Sequence, residues 1–366
     1  HERSSAASDV YKRQVDNPHN YGRVWFPCFD NFAEKSTYEF HITTTDDKRA
    51  FCNGLEQTPT NNGNGTLTWH WEMFQEIPSY LASVAVSNYT AVEMNHAGLE
   101  GNIPIKLGAV PADTANMKSS FIHLPDAITA FENAFGAHRF DRVGYVLVPF
   151  TGGAMEHATN IAYPRFAATG NLAYEDLLAH ELSHHWFGDL VTCETAEDMW
   201  LNEGWASYSE RLFFEHVYGK ERYKEVVAAN HVDVLHYAHV RDEGYRAVSG
   251  VPHDFTYGDH VYSKGADVAH TLRSYFNDDQ LFFDCLADYL DEFAFETANS
   301  GQFRDFLSTC SGIDLTPFFD NWVFAPGFPH FSIDSVKAVD FGGDFYTTVY
   351  IRQRLNHAPE LYSEVP

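Results

Sequence analysis

The sequence is short of positive charge: 24 Lys and Arg stand against 51 Asp and Glu, a formal net charge of -27 over 366 residues. Affinity for nucleic acid comes mostly from Lys and Arg displacing counterions around phosphates, and anionic headgroups attract the same side chains. This balance therefore argues against polyanions and membrane surfaces as partners. No apolar run approaches the ~20 residues that span a bilayer, and no charged-then-apolar signal segment stands at the front. Only five cysteines occur, Cys28, Cys52, Cys193, Cys285 and Cys310, none in a C-x-x-C spacing. An odd count argues against a fully paired disulfide framework; the five read as buried small hydrophobes, with one bridge left open. There is no internal repeat and no low-complexity tract. What is plentiful is apolar material, 44% hydrophobic and 16% aromatic residues, enough over this length for a large core and two or three domains.

The first fourteen residues stand apart. Ser4 to Gln14 (SSAASDVYKRQ) reads as the translation of a sequencing adapter, a library scar rather than native chain, and is excluded from fold reasoning. The fourteen residues sum to +1, so the native part is near -28 and enters mid-gene at about Val15. The missing signal segment then carries no information on compartment. The cysteines leave it open too, with a lean toward an extracytoplasmic or secreted location.

From Val15 to about Val92 the texture is β-like. Alternating stretches at Thr37–Thr43 and Leu67–Trp71 flank the turn-rich Asn61-Asn-Gly-Asn-Gly65, as antiparallel strands with one buried face require. An apolar strand is expected over Val143–Phe150. Helical periodicity follows over 125–136, 174–188, 199–218, 221–239, 263–276, 279–297 and 302–310. After Pro326-Gly-Phe-Pro329 the chain turns strand-like again at Phe331–Asp334 and Tyr346–Ile351. The division expected is 1–14 artefact, 15–92 partial N-terminal β domain, 93–325 catalytic domain and 326–366 the start of another β unit.

Chemistry concentrates at His180-Glu-Leu-Ser-His184. Histidines at i and i+4 share one helix face, so both imidazoles reach one metal ion while Glu181 turns toward a bound water. A catalytic zinc takes three protein ligands and keeps one open position. Glu203, in Trp200-Leu-Asn-Glu-Gly-Trp-Ala206, follows His184 after eighteen residues and sits in an apolar setting where an unpaired carboxylate would be costly. Two antiparallel helices joined by Asp189 to Asp198 would return it to the histidine pair. His185 is turned about a hundred degrees away and is not a ligand. Gly152-Gly-Ala-Met-Glu-His157 follows the apolar strand; its small residues admit a substrate backbone, an edge there could accept an extended peptide, and Glu156 is suited to a free α-ammonium. Tyr262, in Val261-Tyr-Ser-Lys-Gly265, could donate to the oxyanion of a tetrahedral intermediate, although alone it reads equally as core packing.

Together these segments resemble the gluzincin aminopeptidases of the aminopeptidase N family. Its zinc signature corresponds to His180, Glu181, His184 and Glu203, its W-L-N-E-G-[FW]-A block to Trp200–Ala206 and its Tyr-Ser-Lys-Gly element to Tyr262–Gly265. Its exopeptidase motif G-A-M-E-N corresponds to Gly153, Ala154, Met155, Glu156 and His157. Phe26-Pro-Cys-Phe-Asp30 and the stretch Trp322 to Pro329 resemble flanking family segments. The resemblance implies an α+β multidomain protein: a partial, saddle-like antiparallel β domain, a thermolysin-like α-rich catalytic domain and the start of a C-terminal β-sandwich.

It also implies one zinc ion on His180, His184 and Glu203, Glu181 as general base and Tyr262 on the oxyanion. Glu156 would hold the N-terminal ammonium of peptide substrates, with Gly153 and Ala154 aligning the backbone. His157 stands where the family has Asn, in a substrate-facing position, and Asn31 where it has Glu. A further family contact to the α-amine falls near Asp16 or Asn17. Alternatives are an epoxide-opening aminopeptidase of the leukotriene hydrolase type, an endopeptidase, which Glu156 disfavours, and a catalytically dead peptide-binding relative. Oligomeric state and first-residue preference are not legible.

Overall fold

The computed structural model describes residues 21–362; the expectations for residues 1–14, Asp16 and Asn17 lie outside the described residues. Strand β1 (Lys35–Thr45) pairs antiparallel along its length with β2 (Thr66–Pro78), and the short strands Leu55–Glu56 and Thr60–Asn61 also pair with β2. Both alternating stretches lie inside these strands. Phe40, Trp69, Trp71 and Met73 turn inward, while His41, His70 and Glu72 between them stay at the surface. Period-2 burial of this kind builds a sheet with one wet face.

The second sheet supports the site. It runs in the order β6 (Ile161–Pro164), β5 (Val143–Val148), β4 (Gly101–Ala109) and β3 (Thr90–Gly98). The first three are parallel and β3 is antiparallel to β4. Every residue of β5 is buried, which fits its uninterrupted apolar run. The expected division between residues 92 and 93 falls inside β3.

Among the described residues seven longer helices follow: α1 (Leu124–Phe135), α2 (Glu175–Ser183), α3 (Glu203–Tyr218), α4 (Lys220–Asp233), α5 (Ser263–Phe276), α6 (Asp279–Glu292) and α7 (Ser300–Ser311). Each lies within or close to an expected helix. Short helices at Thr114–Ser120 and Thr316–Trp322 span only two turns, too few for periodicity to register. Where helix was expected to continue to 188, α2 stops at Ser183, because His185 and Trp186 bond back three residues, to Leu182 and Ser183, and tighten the chain. Likewise α6 ends at Glu292 rather than 297: Phe295 takes a left-handed φ of 63° and the chain becomes a strand, Thr297–Ala298, beside Thr192–Cys193.

Two side chains fasten α2. The Tyr145 hydroxyl, from β5, donates to the Leu178 carbonyl at 2.8 Å, and the Trp186 indole donates to the Gly136 carbonyl at 2.9 Å while its ring meets Phe131 of α1 edge-on. At the far end Phe328–Phe341 and Asp344–Asn356 form a hairpin turning at Gly342-Gly343, both glycines at positive φ. Where the start of a sandwich was expected, the described residues form this two-stranded ribbon. No helix of the described residues is long and apolar enough to cross a membrane.

The cysteine reading needs correction. Cys285 of α6 and Cys310 of α7 form a disulfide, and Cys28 is only half-buried; Cys52 and Cys193 are free and buried as expected. The pairing arises from the packing of α6 against α7, which nothing in the spacing announces. Closing a loop of sequence separation 25 is worth about 3 kcal/mol in the chain-entropy account. Cys310→Ser should therefore lower unfolding stability by about that amount, measured by denaturant midpoints; an unchanged midpoint would show that the bridge does not constrain the unfolded chain.

Candidate active site

The site grows from the end of α2 and the start of α3. His180 and Glu181 lie in the last turn of α2 and His184 at its C-cap, still in helical conformation. One helical turn therefore stacks the two imidazoles, with ring centroids 4.9 Å apart. Glu203 opens α3, and its Oε2 stands 3.1 Å from His180 Nε2 and 3.3 Å from His184 Nε2. Ligands around a tetrahedral zinc, bonded at roughly 2.0–2.2 Å, are about 3.3 Å from one another. Among the described residues these three are a buried group of metal-type donors.

The outward nitrogens confirm the fit. His180 Nδ1 is 2.8 Å from Glu210 Oε1, and His184 Nδ1 is 2.9 Å from the Phe187 carbonyl. Both partners only accept, so each Nδ1 carries the hydrogen and each Nε2 is left to bind a metal. Gly188 makes room for this: at φ +131° its missing Cβ would lie 2.9 Å from His184 Nδ1.

Glu203 reaches the histidines because α3 and α5 cross with almost no side chain between them. A Cβ on Gly204 would come within 3.0 Å of Gly265 Cα, and one on Gly265 within 2.9 Å of Gly204 Cα. The same contact brings Tyr262, just before α5, over the site, its ring parallel to His180 with centroids 6.0 Å apart. Burial pushes the Tyr262 phenol well above its ordinary range, and the Glu203 charge adds to this. The hydroxyl stays protonated, as a donor must.

These residues share a cavity of about 910 Å³. Gly153, Ala154, Met155 and Glu156 line it, with Met155 exchanging both backbone hydrogen bonds with Ala162 beside β6. Burial raises the Glu156 carboxyl, against the opposing pull of His184. Burial likewise raises Glu181, to about 8, despite both histidines, and its Oε2 has no hydrogen-bond partner. Burial also acts on Glu203, but His184 and His180 outweigh it and hold that carboxyl well below its ordinary range.

One expected site residue is elsewhere. His157, read as substrate-facing, is not part of the cavity wall; it is buried, its Nδ1 unpartnered, and burial depresses its pKa to about 3. Glu156 lines the cavity, and the next residue, His157, is buried away from it. His185 does point away, bonded to His138 at 2.8 Å and accepting from the Thr159 amide.

Sequence reasoning missed Glu210. It stands seven residues, two helical turns, beyond Glu203 and so on the same face of α3, a spacing that could have disclosed it. Also missed were Tyr80, Asp176 and Arg211, which reach the wall from separate elements.

A His-Glu-x-x-His helix whose third donor is a glutamate on the next helix is the centre of a gluzincin-type metallohydrolase. The chain belongs to peptidase family M1: residues 122–322 match the Peptidase family M1 domain, and residues 15–81 match the Peptidase M1 N-terminal domain. It is 28% identical to aminopeptidase B of Rattus norvegicus over 335 residues, covering 85% of this chain and 49% of that protein. It is also 28% identical to aminopeptidase N of Bos taurus over 346 residues, covering 86% and 35%. The chain thus spans half or less of the length of these relatives. In structure it resembles a mutant M1 zinc metallopeptidase from Deinococcus radiodurans bound to a Tyr-Ser-Ala substrate. The TM-score is 0.75 at 20% identity, covering 86% of this chain and 70% of that one.

Removing the carboxylate behind His180 tests how the donors are oriented. Glu210→Ala should weaken zinc binding by about 10–100-fold, read by competition with a chromophoric chelator. An unchanged affinity would mean that Glu210 does not set the imidazole.

Proposed function

We propose that this chain is a zinc-dependent aminopeptidase that hydrolyses the N-terminal peptide bond of peptides with a free amino terminus. The observation that carries the reading is the place of Glu156: a buried carboxylate in the same cavity as Glu181 and the His180, His184 and Glu203 donors. The names of the relatives, aminopeptidases B and N, and the tripeptide bound to the Deinococcus radiodurans metallopeptidase support it.

Zinc on His180, His184 and Glu203 would supply Lewis acidity, lowering the pKa of water and polarising the scissile carbonyl. The remaining work falls to side chains of this chain. Glu181 accepts the water proton at its unpartnered Oε2 and returns it to the nitrogen of the leaving amine. Tyr262 donates its hydroxyl hydrogen to the developing oxyanion. Glu156 accepts from the α-ammonium and fixes how far the peptide enters, which leaves no path for a longer chain on that side. Gly153 and Ala154 present backbone to the first residue with little side chain in the way.

An oxidising, extracytoplasmic compartment is part of the proposal. The Cys285–Cys310 bridge supports it, since cytosolic thiols are kept reduced.

A panel of amino-acid arylamides, with zinc content measured in parallel, tests the activity. Glu181→Gln should retain zinc but lose turnover by about 10²–10⁴-fold, and comparable turnover would remove the general-base role. Glu156→Ala should lose the preference for free-amine over N-acetylated peptides, seen as convergence of their kcat/KM values. An intact preference would place ammonium recognition elsewhere.

A further inference from the structure

A second set of metal-type donors stands on the wet face of the first sheet, and none of its members lines the cavity. The β1–β2 register puts His41 directly opposite His70 and Glu39 directly opposite Glu72. Two-residue spacing on each strand sends all four to one face, away from Phe40 and Trp71, which pair between them and are buried. The two imidazoles stack, with centroids 4.4 Å apart and planes within 15°.

Their nitrogens converge on carboxylate oxygen. Glu39 Oε1 is 2.8 Å from His41 Nε2 and 3.0 Å from His70 Nε2, while Glu72 Oε1 is 3.4 Å from His70 Nε2. Zinc bonds of roughly 2.0–2.2 Å impose a ligand spacing of about 3.3–3.6 Å, so the two Glu39 contacts need to open by only a few tenths of an ångström to admit the ion. They also match the distances found among His180, His184 and Glu203.

Two observations speak against an ordinary surface ion pair. Like charges directly opposite on paired strands are destabilising, yet Glu39 faces Glu72. In addition, His70 Nε2 is shielded from solvent, and although His41 and, less strongly, His70 draw the Glu39 carboxyl below its ordinary range, the 3.0 Å contact of His70 Nε2 with Glu39 Oε1 is not a well-aligned hydrogen bond. A cation placed between the nitrogens and the carboxylates satisfies the lone nitrogen and screens the facing glutamates together.

We propose that Glu39, His41 and His70, with Glu72 beside His70, form a second zinc site, which ties β1 to β2 on the outer face of the N-terminal sheet. Two imidazoles and one carboxylate, the donor types of the His180, His184 and Glu203 group, suit zinc. Because the site links two strands of the folded sheet, zinc bound there stabilises the fold by mass action. The proposal stands independently of the catalytic reading.

The test uses the full chain, stripped with chelator, dialysed against zinc chloride and analysed for metal by mass spectrometry. Wild type should take up two zinc ions per chain. His41→Ala/His70→Ala should take up one and keep its arylamidase activity and circular dichroism spectrum. His180→Ala/His184→Ala should also retain one ion, and zinc should still raise its Tm; adding His41→Ala and His70→Ala should abolish that rise. As a milder variant, Glu39→Gln should lower affinity at the second site at least tenfold. A single ion in wild type that disappears with His180 and His184, or a second ion that survives loss of His41 and His70, would overturn the proposal.

Discussion

The near-contact of Gly204 with Gly265 is the constraint on which the centre depends. One methyl group at either position would force α3 and α5 apart, and overpacking of this kind costs about 1–3 kcal/mol when the backbone must give way. The geometric damage would exceed the energetic one. Glu203 precedes Gly204 and Tyr262 lies three residues before Gly265, so a shift at the crossing moves a metal donor and the oxyanion donor together. Gly188 plays the matching part on the other side, where it keeps the space beside His184 clear. Three glycines thus set distances among groups that themselves carry the charge.

Around that centre the fold is arranged to hold polarity in a dry place. His180, Glu181, His184 and Glu203 are all buried, which would be prohibitive for isolated ions. Each is compensated differently. The histidines have obligate acceptors behind them, Glu203 has both histidines before it, and Glu181 is left with an unsatisfied oxygen and a raised pKa. A carboxyl that the surroundings do not satisfy is one that gains by taking up a proton.

Much of this was legible from local spacing. Histidines four apart, a glutamate beyond an eighteen-residue gap and alternating strands are short-range patterns, and the structure brings the residues together as those patterns required. What was not legible depends on tertiary packing. The sequence cannot show that Cys285 and Cys310 meet, since only the docking of α6 on α7 brings them together. The direction of His157 was missed because motif membership was taken to mean substrate contact, whereas the bridge between Met155 and Ala162 decides which side chains turn inward. Tyr80 comes from a distant segment, whereas Asp176, one helical turn before His180 on α2, and Arg211, beside Glu210 on α3, lie on the site's own helices and could have been found from their spacing. The ends of α2 and α6 were overrun because apolar spacing continued past the point where Trp186 and Phe295 turn the chain.

The cavity wall also bears on turnover. Glu156, Asp176, Glu181, Glu203 and Glu210 face it, against the single guanidinium of Arg211. Before cleavage a peptide presents this surface with an ammonium and a neutral amide. Hydrolysis at the first bond, on the proposed reading, would turn that amide into a carboxylate, among acidic groups that include Glu156 and Glu181, which burial pushes toward the neutral form. The acidic wall would then act against the group the reaction creates while a zinc ion on His180, His184 and Glu203 would draw it in, so departure of the amino acid would turn on the balance between the two.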